Sequence, residues 1–449
     1  MYIENIVSII ICVLIIRVAF SIYNIKKSLI FLSQYKSLPS LFPNNLPYIV
    51  IVFPVLLEQR IIEETIEYFS AMDYPREKIK VLMITTEKEY SIKSDYKEST
   101  INLLEKLKKK YPQIKTLHYP LIDGCKSDQL NFAAEEFEEL YPDLDPANTF
   151  FAIYDADSRP NKKSLKVFSW SLQGNPTCNV FQQSAIFLKN YEYLNRKRLI
   201  ERLFLKSATL EQNRFTLAYE IPRILREYDY SKTHKGIISS ITYAHCVGHG
   251  LIIRLSFLKK IKFPTNFYPE DMFYGFILNS LKEPIIPIPA LDNSEMPVSF
   301  KELFIQRAFW FLGPFSGNKY RNYVKNTYKN IYSKERFRIL ALSASVIFNS
   351  IRWLLTSFFE FFLIICAIIL GNIIAILTGL LFIAYLYSFY ITLTAYKDLC
   401  KFAGKTEVSL SISEKISIVL FEAIFMLFYS IPAYYMLYNT IANRIPKLR

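Results

Sequence analysis

The sequence predicts an α/β domain with a doubly wound parallel sheet, set between α-helical membrane segments. Three observations predict it. From residue 48 onward, short β-rich runs alternate with helix-period segments, the pattern of successive βαβ units. One such run, Phe-Phe-Ala-Ile-Tyr at 150–154, is apolar throughout, as a parallel strand buried on both faces must be. Four apolar stretches, 6–23, 354–370, 373–395 and 416–438, lie at the two ends of the chain. Each is near the ~20 residues a helix needs to cross ~30 Å of hydrocarbon. They account for a hydrophobic fraction of 51% over 449 residues.

Residues 6–23 form an uncleaved anchor. Glu4 precedes them with no positive charge, no small-residue cleavage site follows, and Lys26, Lys27 and Lys36 place the middle of the chain in the cytoplasm. Arg17, inside the span, faces protein or snorkels. The β-rich run 48–53 comes next. Ile62, Ile66 and Phe69 then keep helical spacing until Asp73-Tyr74-Pro75 ends the segment. A second strand at 80–85, a helix at 102–111, a strand at 114–119, a helix at 128–140 and the strand 150–154 follow. Residues 194–219 form one long helix with charge along one side.

Residues 336–353 are apolar but interrupted by Ser343, Ser345, Asn349, Ser350 and Arg352, which favours a helix at the membrane interface. Counted so, the chain has three C-terminal spans; counted as spanning, four. Lys397, Lys401 and Lys405 mark a cytoplasmic loop and support three, whereas Arg444, Lys447 and Arg449 argue the other way. The organisation is thus an anchor at 1–27, an α/β domain at 46–300, interfacial helices at 301–353 and C-terminal spans at 354–440.

The net charge of +14 is spread widely and accompanies no nucleic-acid motif, so nucleic acid is excluded as a partner. Anionic lipid headgroups and a nucleoside diphosphate are sufficient partners for it. Six cysteines at 12, 125, 178, 246, 366 and 400 make no close pair, which supports neither disulfides nor a zinc site. His245 and His249 have i, i+4 spacing, but Gly248 and Gly250 argue against a helix and hence against a metal pair there.

Asp155-Ala156-Asp157 closes the strand 150–154, at the carboxyl end where open α/β sheets bind ligands. Period-2 geometry points both carboxylates the same way, and two hard oxygen ligands suit Mg²⁺ or Mn²⁺ bridging a diphosphate. An isolated D-x-D is more often a solvated turn. Its company changes the balance: Pro54-Val55-Leu56-Leu57-Glu58, Lys126-Ser127-Asp128-Gln129-Leu130-Asn131, Gly248-His249-Gly250 with Arg254, Glu270-Asp271 and Gln306-Arg307-Ala308-Phe309-Trp310. Glu58 is either an ordinary acid of a first helical turn or a nucleotide contact. Lys126 precedes a helix, where a cation and free backbone donors meet phosphate.

In this order, over about 46–312 and with membrane segments on both sides, these motifs resemble the membrane-embedded family 2 glycosyltransferases. That family includes cellulose, hyaluronan, chitin-oligosaccharide and poly-N-acetylglucosamine synthases. The resemblance implies a GT-A-like nucleotide-sugar-binding domain with α-helical transmembrane segments, in the bacterial plasma membrane. It implies that Asp271 is the catalytic base with Glu270 orienting the site, and that Asp155 and Asp157 carry Mg²⁺ or Mn²⁺. It also implies that Glu58, Lys126, Gln306, Arg307 and Trp310 hold the donor, most simply a UDP-linked sugar. Phe309 stands where polymerising members have arginine, with Arg307 the alternative cation, and Thr85-Thr86-Glu87 replaces an aspartate pair that contacts the base. Gln306 and Trp310 point to a growing polysaccharide as acceptor, Phe309 to a single addition on a lipid-linked acceptor. A silent membrane scaffold or transport subunit has no use for Asp155, Asp157 and Asp271 together.

Overall fold

A computed structural model describes residues 2–92, 96, 98–233, 243–265, 267–402 and 410–442. Its centre is a seven-stranded sheet in the order β3-β2-β1-β4-β6-β5-β7. The strands are β1 (Tyr48–Pro54), β2 (Ile79–Thr86), β3 (Ile114–Tyr119), β4 (Thr149–Ile153), β5 (Val180–Ile186), β6 (Leu251–Arg254) and β7 (Ile285–Asn293). β1 pairs in parallel with β2 and β4, β2 with β3, and β5 with β7; β6 alone is antiparallel to its neighbours.

Side chains alternate between two dry layers, as the pleat requires. Ile49, Ile51, Phe53, Phe150 and Ala152 enter one, with α2 (Ile62–Ser70), α3 (Thr100–Lys110) and α5 (Ser164–Gln173). Val50, Val52, Phe151 and Ile153 enter the other, against α4 (Lys126–Glu135) and α8 (Glu270–Leu281). The fold class expected from the sequence, an α/β sheet domain plus membrane-length helices, is the one observed.

The first four strands lie where the sequence places them. β6 (Leu251–Arg254) is a short apolar run, whereas β5 and β7 are interrupted by polar residues or prolines, for physical reasons. β5 contains Gln182-Gln183-Ser184, buried because partners satisfy it: Gln182 donates to the His249 carbonyl (3.1 Å) and Gln183 accepts from the Tyr154 hydroxyl (2.7 Å). β7 contains Pro287 and Pro289, tolerated on an edge strand with an irregular register. The expected helix 128–140 breaks at Glu136 into α4 and a short turn, Phe137–Leu140. The expected helix 194–219 starts later, as α6 (Leu199–Phe215), and continues through a π-turn at Thr216–Glu220 into α7 (Ile221–Thr233). Pro222 lacks an N–H, and the wider turn before it accommodates the missing bond.

Four helical stretches, Tyr2–Ser37, Arg336–Leu370, Asn372–Thr394 and Ile412–Ile441, are long and apolar enough to cross a membrane. They comprise α1 (Tyr2–Ser33), α10 (Arg336–Leu370), α11 (Asn372–Thr394), α12 (Ile412–Leu427) and α13 (Ile431–Ile441), and α9 (Phe300–Phe315) joins them to the sheet domain. α10 runs unbroken across residue 353 for about 52 Å. The interrupted segment 336–353 therefore shares an axis with the apolar 354–370. Lys405, Arg444, Lys447 and Arg449, which bear on orientation, lie outside the described residues. The break between α12 and α13 exposes backbone groups that hydrocarbon would leave unsatisfied. Ser357 and Ser430 close it, each hydroxyl accepting from the other's backbone N–H at 3.0–3.2 Å.

Gly275 lets α8 lie against the chain entering β6: a Cβ there would stand 2.6 Å from the Cys246 nitrogen and 2.8 Å from the His245 Cα. Gly275→Ala should therefore lower stability by roughly 1–3 kcal/mol, the usual cost of overpacking. Gly379→Ala, at a position with nothing within 4 Å, should not. Thermal unfolding of both variants in detergent checks the difference, and equal midpoints would contradict the tight packing.

Candidate active site

β2 and β3 extend the sheet on one side of β1 and β4 continues it on the other, so the loops leaving β1 and β4 diverge and open a crevice. Asp155 and Asp157 lie in the loop leaving β4, and Glu58 just past β1. The reversal of β6 matters most. An antiparallel strand brings its entry, not its exit, to the carboxyl edge, so Gly248-His249-Gly250 stands beside the end of β4. The Gly250 N–H donates to the Ile153 carbonyl at 2.9 Å. Arg254, at the other end of β6, binds the carbonyls of Ala147 (2.7 Å) and Pro176 (2.8 Å), so it is structural and remote from this edge.

α8 begins at Glu270, so the pair Glu270-Asp271 occupies its first turn rather than the cap, which is Pro269. There the exposed N–H groups favour negative charge, and Asp271 Oδ1 accepts from the Met272 N–H at 2.6 Å. Lys126, the first residue of α4, joins the two acid pairs. Its Nζ contacts Asp155 Oδ1 and donates to the Gly248 carbonyl at 2.7 Å. Gly248 keeps this junction open, since a Cβ there would lie 3.1 Å from Asp271 Oδ2 and 3.4 Å from Lys126 Nζ.

So many carboxylates in one crevice shift each other's protonation. Burial raises the Asp271 carboxyl, only partly opposed by backbone donors, Lys126 and His249. Burial and Asp271 push Glu270 up to about 7. Burial would raise Asp155 too, but the Lys126 ammonium holds it below the ordinary range. Asp157 is raised by burial and by Asp155, while one oxygen accepts from the Glu295 N–H at 3.1 Å. Glu58 is close enough to Asp157, Asp155 and Glu295 that burial and their charges push it up to about 7. The donor set is hard oxygen with excess negative charge, which fits a divalent cation. Among the described residues no three His, Cys, Asp or Glu are grouped so as to hold an ion.

Sequence reasoning missed Asp292, at the end of β7. It is fully buried and its Oδ2 accepts hydrogen bonds from His249 Nδ1–H at 2.6 Å and from the Ser158 hydroxyl at 2.7 Å. Burial would lower the imidazole, but Asp292, then Asp155 and Asp157, push it up to about 9, so His249 adds positive charge beside the D-x-D. The Gly-His-Gly motif flagged His249. Nothing in the sequence flagged its partner, because β7 was not foreseen. Thr85 is engaged by His118 Nδ1 (3.0 Å), whose Nε2 meets Glu87 (2.9 Å).

Gln306, Arg307 and Trp310, on α9, line the same cavity as Lys126, Asp155, Asp157, Glu270 and Asp271. Arg307 is 5% exposed, its guanidinium 5.3 Å from the Trp310 ring and 5.8 Å from Tyr429, with Nε and Nη2 unpartnered. Phe309 packs with Ala433 and Met436 of α13. The cavity, about 1450 Å³, continues from the acids to residues of α1, α10, α11 and α12.

No protein-family profile matches the chain, and no curated protein does. Among solved structures, the mannosyltransferase PcManGT from Pyrobaculum calidifontis, in complex with GDP-Man and Mn2+, is similar over 94% of this chain and 99% of its own. The identity is 13% and the TM-score 0.44. S. aureus TarS 1-349 is similar over 90% of this chain and 94% of its own, at 11% identity and a TM-score of 0.37. Its complex with UDP-GlcNAc covers 80% and 93%, at 12% identity and a TM-score of 0.33.

Removing the Lys126 ammonium leaves Asp155, Glu270 and Asp271 facing one another. The Lys126 and Asp155 side chains are 23% and 41% exposed, so solvent screens the loss, and Lys126→Met should cost on the order of 1–2 kcal/mol at neutral pH. Asp155 is depressed, so the stability it gains from Lys126 is present above its unfolded pKa of ~4 and lost as pH falls through its lower folded value. The deficit should therefore shrink on acidification. Thermal unfolding of variant and wild type across pH tests this, and a pH-independent deficit would rule out the charge account.

Proposed function

We propose that the chain is a membrane glycosyltransferase, moving a sugar with inversion from a nucleoside diphosphate donor onto an acceptor hydroxyl. The observation that carries this reading is the convergence of Lys126, Asp155, Asp157 and Asp271 on one cavity at the carboxyl edge of the sheet. In the proposed step the ionised Asp271 takes the proton of the acceptor hydroxyl while its oxygen bonds to the anomeric carbon. The bond from that carbon to the diphosphate oxygen breaks, and the nucleoside diphosphate leaves with the electron pair. Lys126, His249 and Arg307 supply positive charge, and Glu270, pushed up to about 7, carries only part of its negative charge beside the base near neutral pH.

Asp157, with Asp155, is the position for Mg²⁺ or Mn²⁺; such an ion neutralises charge on the departing diphosphate. Gln306 and Trp310, with Glu58 near the D-x-D, complete the donor site, for which UDP is the nucleotide we favour. Lys26 and Lys27 toward the end of α1, with Lys36 just after it, support a cytoplasmic catalytic domain on a bacterial plasma membrane. Retention of Gln306 and Trp310 favours a growing polysaccharide as acceptor. The continuation of the cavity among membrane-length helices favours a lipid-linked one.

Asp271→Asn keeps the shape but cannot take a proton, so transfer should fall roughly 10²–10⁴-fold, while donor binding stays within a few fold. Product formation from a panel of radiolabelled nucleotide sugars, beside donor titration, decides this, and near-normal turnover would sink the assignment. Excess chelator, and separately Asp157→Ala, should each abolish transfer and weaken nucleoside diphosphate binding; full activity in chelator would mean that the D-x-D is structural.

The pH profile supplies an independent check. Asp271 must be ionised, and its carboxyl lies above the ordinary aspartate value of ~4. The rate should therefore decline on acidification at a pH above that value. Glu270, pushed up to about 7, is already protonated where Asp271 titrates, so Glu270→Gln should leave the limb in place. A limb near pH ~4 would exclude Asp271 as the titrating base.

A further inference from the structure

We propose that the cavity binds the acceptor as a saccharide carried on a lipid phosphate or diphosphate, the phosphate lying against Arg17, Arg223 and Arg352. This rests on the glycosyl-transfer reading and names its acceptor. All three arginines line the cavity that contains Asp271. They come from separate elements: Arg17 from α1, Arg223 from α7 and Arg352 from α10. Arg223 donates to Asn349 Oδ1 at 3.3 Å, and Asn349 lies one helical turn before Arg352 on the same face. The Arg352 guanidinium stands 5.4 Å from the Tyr219 ring, and the charges of Arg17 and Arg223 act on it or are acted on by it.

Among the described residues none of the three forms an ion pair, whereas the neighbouring Arg214 is fully engaged by Glu211 at 2.8 and 3.0 Å. Among the described residues, the nearby carboxylates of the cavity form no ion pair with the cluster: Glu220, pushed up to about 7 by burial against the opposing charge of Arg223, leaves Oε1 without a hydrogen-bond partner, and Glu360 pairs with none of the three arginines. Guanidiniums that repel one another in a low-dielectric cleft are expensive unless an anion joins them, and phosphate matches their fork geometry. A neutral polysaccharide would not.

The cleft also has apolar walls. α1 packs on α11 and meets α10 through Val7 and Ile11 against Leu363 and Cys366. Ile9 (64% exposed), Val13 (58%), Phe348 (63%) and Ile351 (46%) line the cavity and are exposed. Apolar walls of this kind suit the chain of a lipid. The identity of the nucleophile follows from Asp271. A lipid phosphate is already anionic and gives a general base nothing to remove, so the attacking oxygen is a sugar hydroxyl and the phosphate only anchors.

The test uses the full chain in phosphatidylcholine nanodiscs, with binding of tritiated farnesyl phosphate measured against farnesol, inorganic phosphate and phosphatidylglycerol as competitors. Farnesyl phosphate should bind at least about tenfold more tightly than farnesol, the gain of one charge-assisted contact or more. Inorganic phosphate and phosphatidylglycerol should compete poorly, and R223Q/R352Q should reduce farnesyl phosphate to the farnesol level. Equal binding of farnesol, strong competition by either other phosphate source, or an unaltered double variant each overturns the proposal. If the double variant does not fold, the wild-type comparison alone decides. UDP and GDP binding in the same discs separates the two readings: the double variant should retain it and Asp157→Ala lose it. Absence of nucleotide binding in wild type would remove the transferase reading and leave the lipid-phosphate arms to be judged separately.

Discussion

Carboxylates crowded out of water repel one another, and the Lys126 ammonium is what lets two pairs of them share one crevice. Its contacts with Asp155 and the Gly248 carbonyl, beside Asp271, tie the loop after β4, the entry to β6 and the first turn of α8 to one point. No two of these elements are close in sequence. The same ammonium splits the acids electrostatically. Asp155 is held ionised, whereas Glu270 and Asp271 are raised by burial, so one crevice contains both an acid paired with an ammonium and acids that hold their protons more readily. Such separation of neighbouring carboxyl groups is how a site runs opposite proton chemistries at one pH.

The second support is the direction of β6. Had that strand run parallel to β4, its Gly-His-Gly entry would lie at the far edge, with Arg254 in the crevice instead. Reversal brings His249 beside Asp155 and Asp157, and Asp292 from β7 keeps the imidazole protonated. Asp292 is itself anchored by the Ser158 hydroxyl, in the loop that carries Asp157. The D-x-D loop, the histidine and the last strand thus form one hydrogen-bonded unit, and rigidity of this kind is what positions reacting groups within a fraction of an ångström.

The membrane helices are continuous with this chemistry. α9 brings Gln306, Arg307 and Trp310 to the cavity on one face and packs on α13 with the other. The π-turn before Pro222 leads into α7 and hence to Arg223, while α10 contributes Arg352. Polar and charged groups at such positions are costly in hydrocarbon and persist where they face a cavity or each other. Arg214 with Glu211, and Ser357 with Ser430, are satisfied in that way; Arg17, Arg223 and Arg352 line the cavity.

Much was written in the sequence alone. Strands at 48–53 and 150–154 are legible because they are buried on both faces and therefore apolar, and those at 80–85 and 114–119 because β-rich runs alternate with helical segments. The membrane-length helices are legible by their apolar character. Asp155, Asp157, Glu270 and Asp271 stand out by local chemistry. What the sequence leaves open is anything that depends on a partner far along the chain. β5 and β7 hide because glutamines and prolines are tolerated only where distant groups satisfy or flank them. Asp292 hides because its role exists only through His249. The arginine cluster hides because its members lie on three helices spread from residue 17 to residue 352. Tertiary structure decided these, since hydrogen bonding and electrostatics act through space, while composition and periodicity report only what a residue's sequence neighbours require.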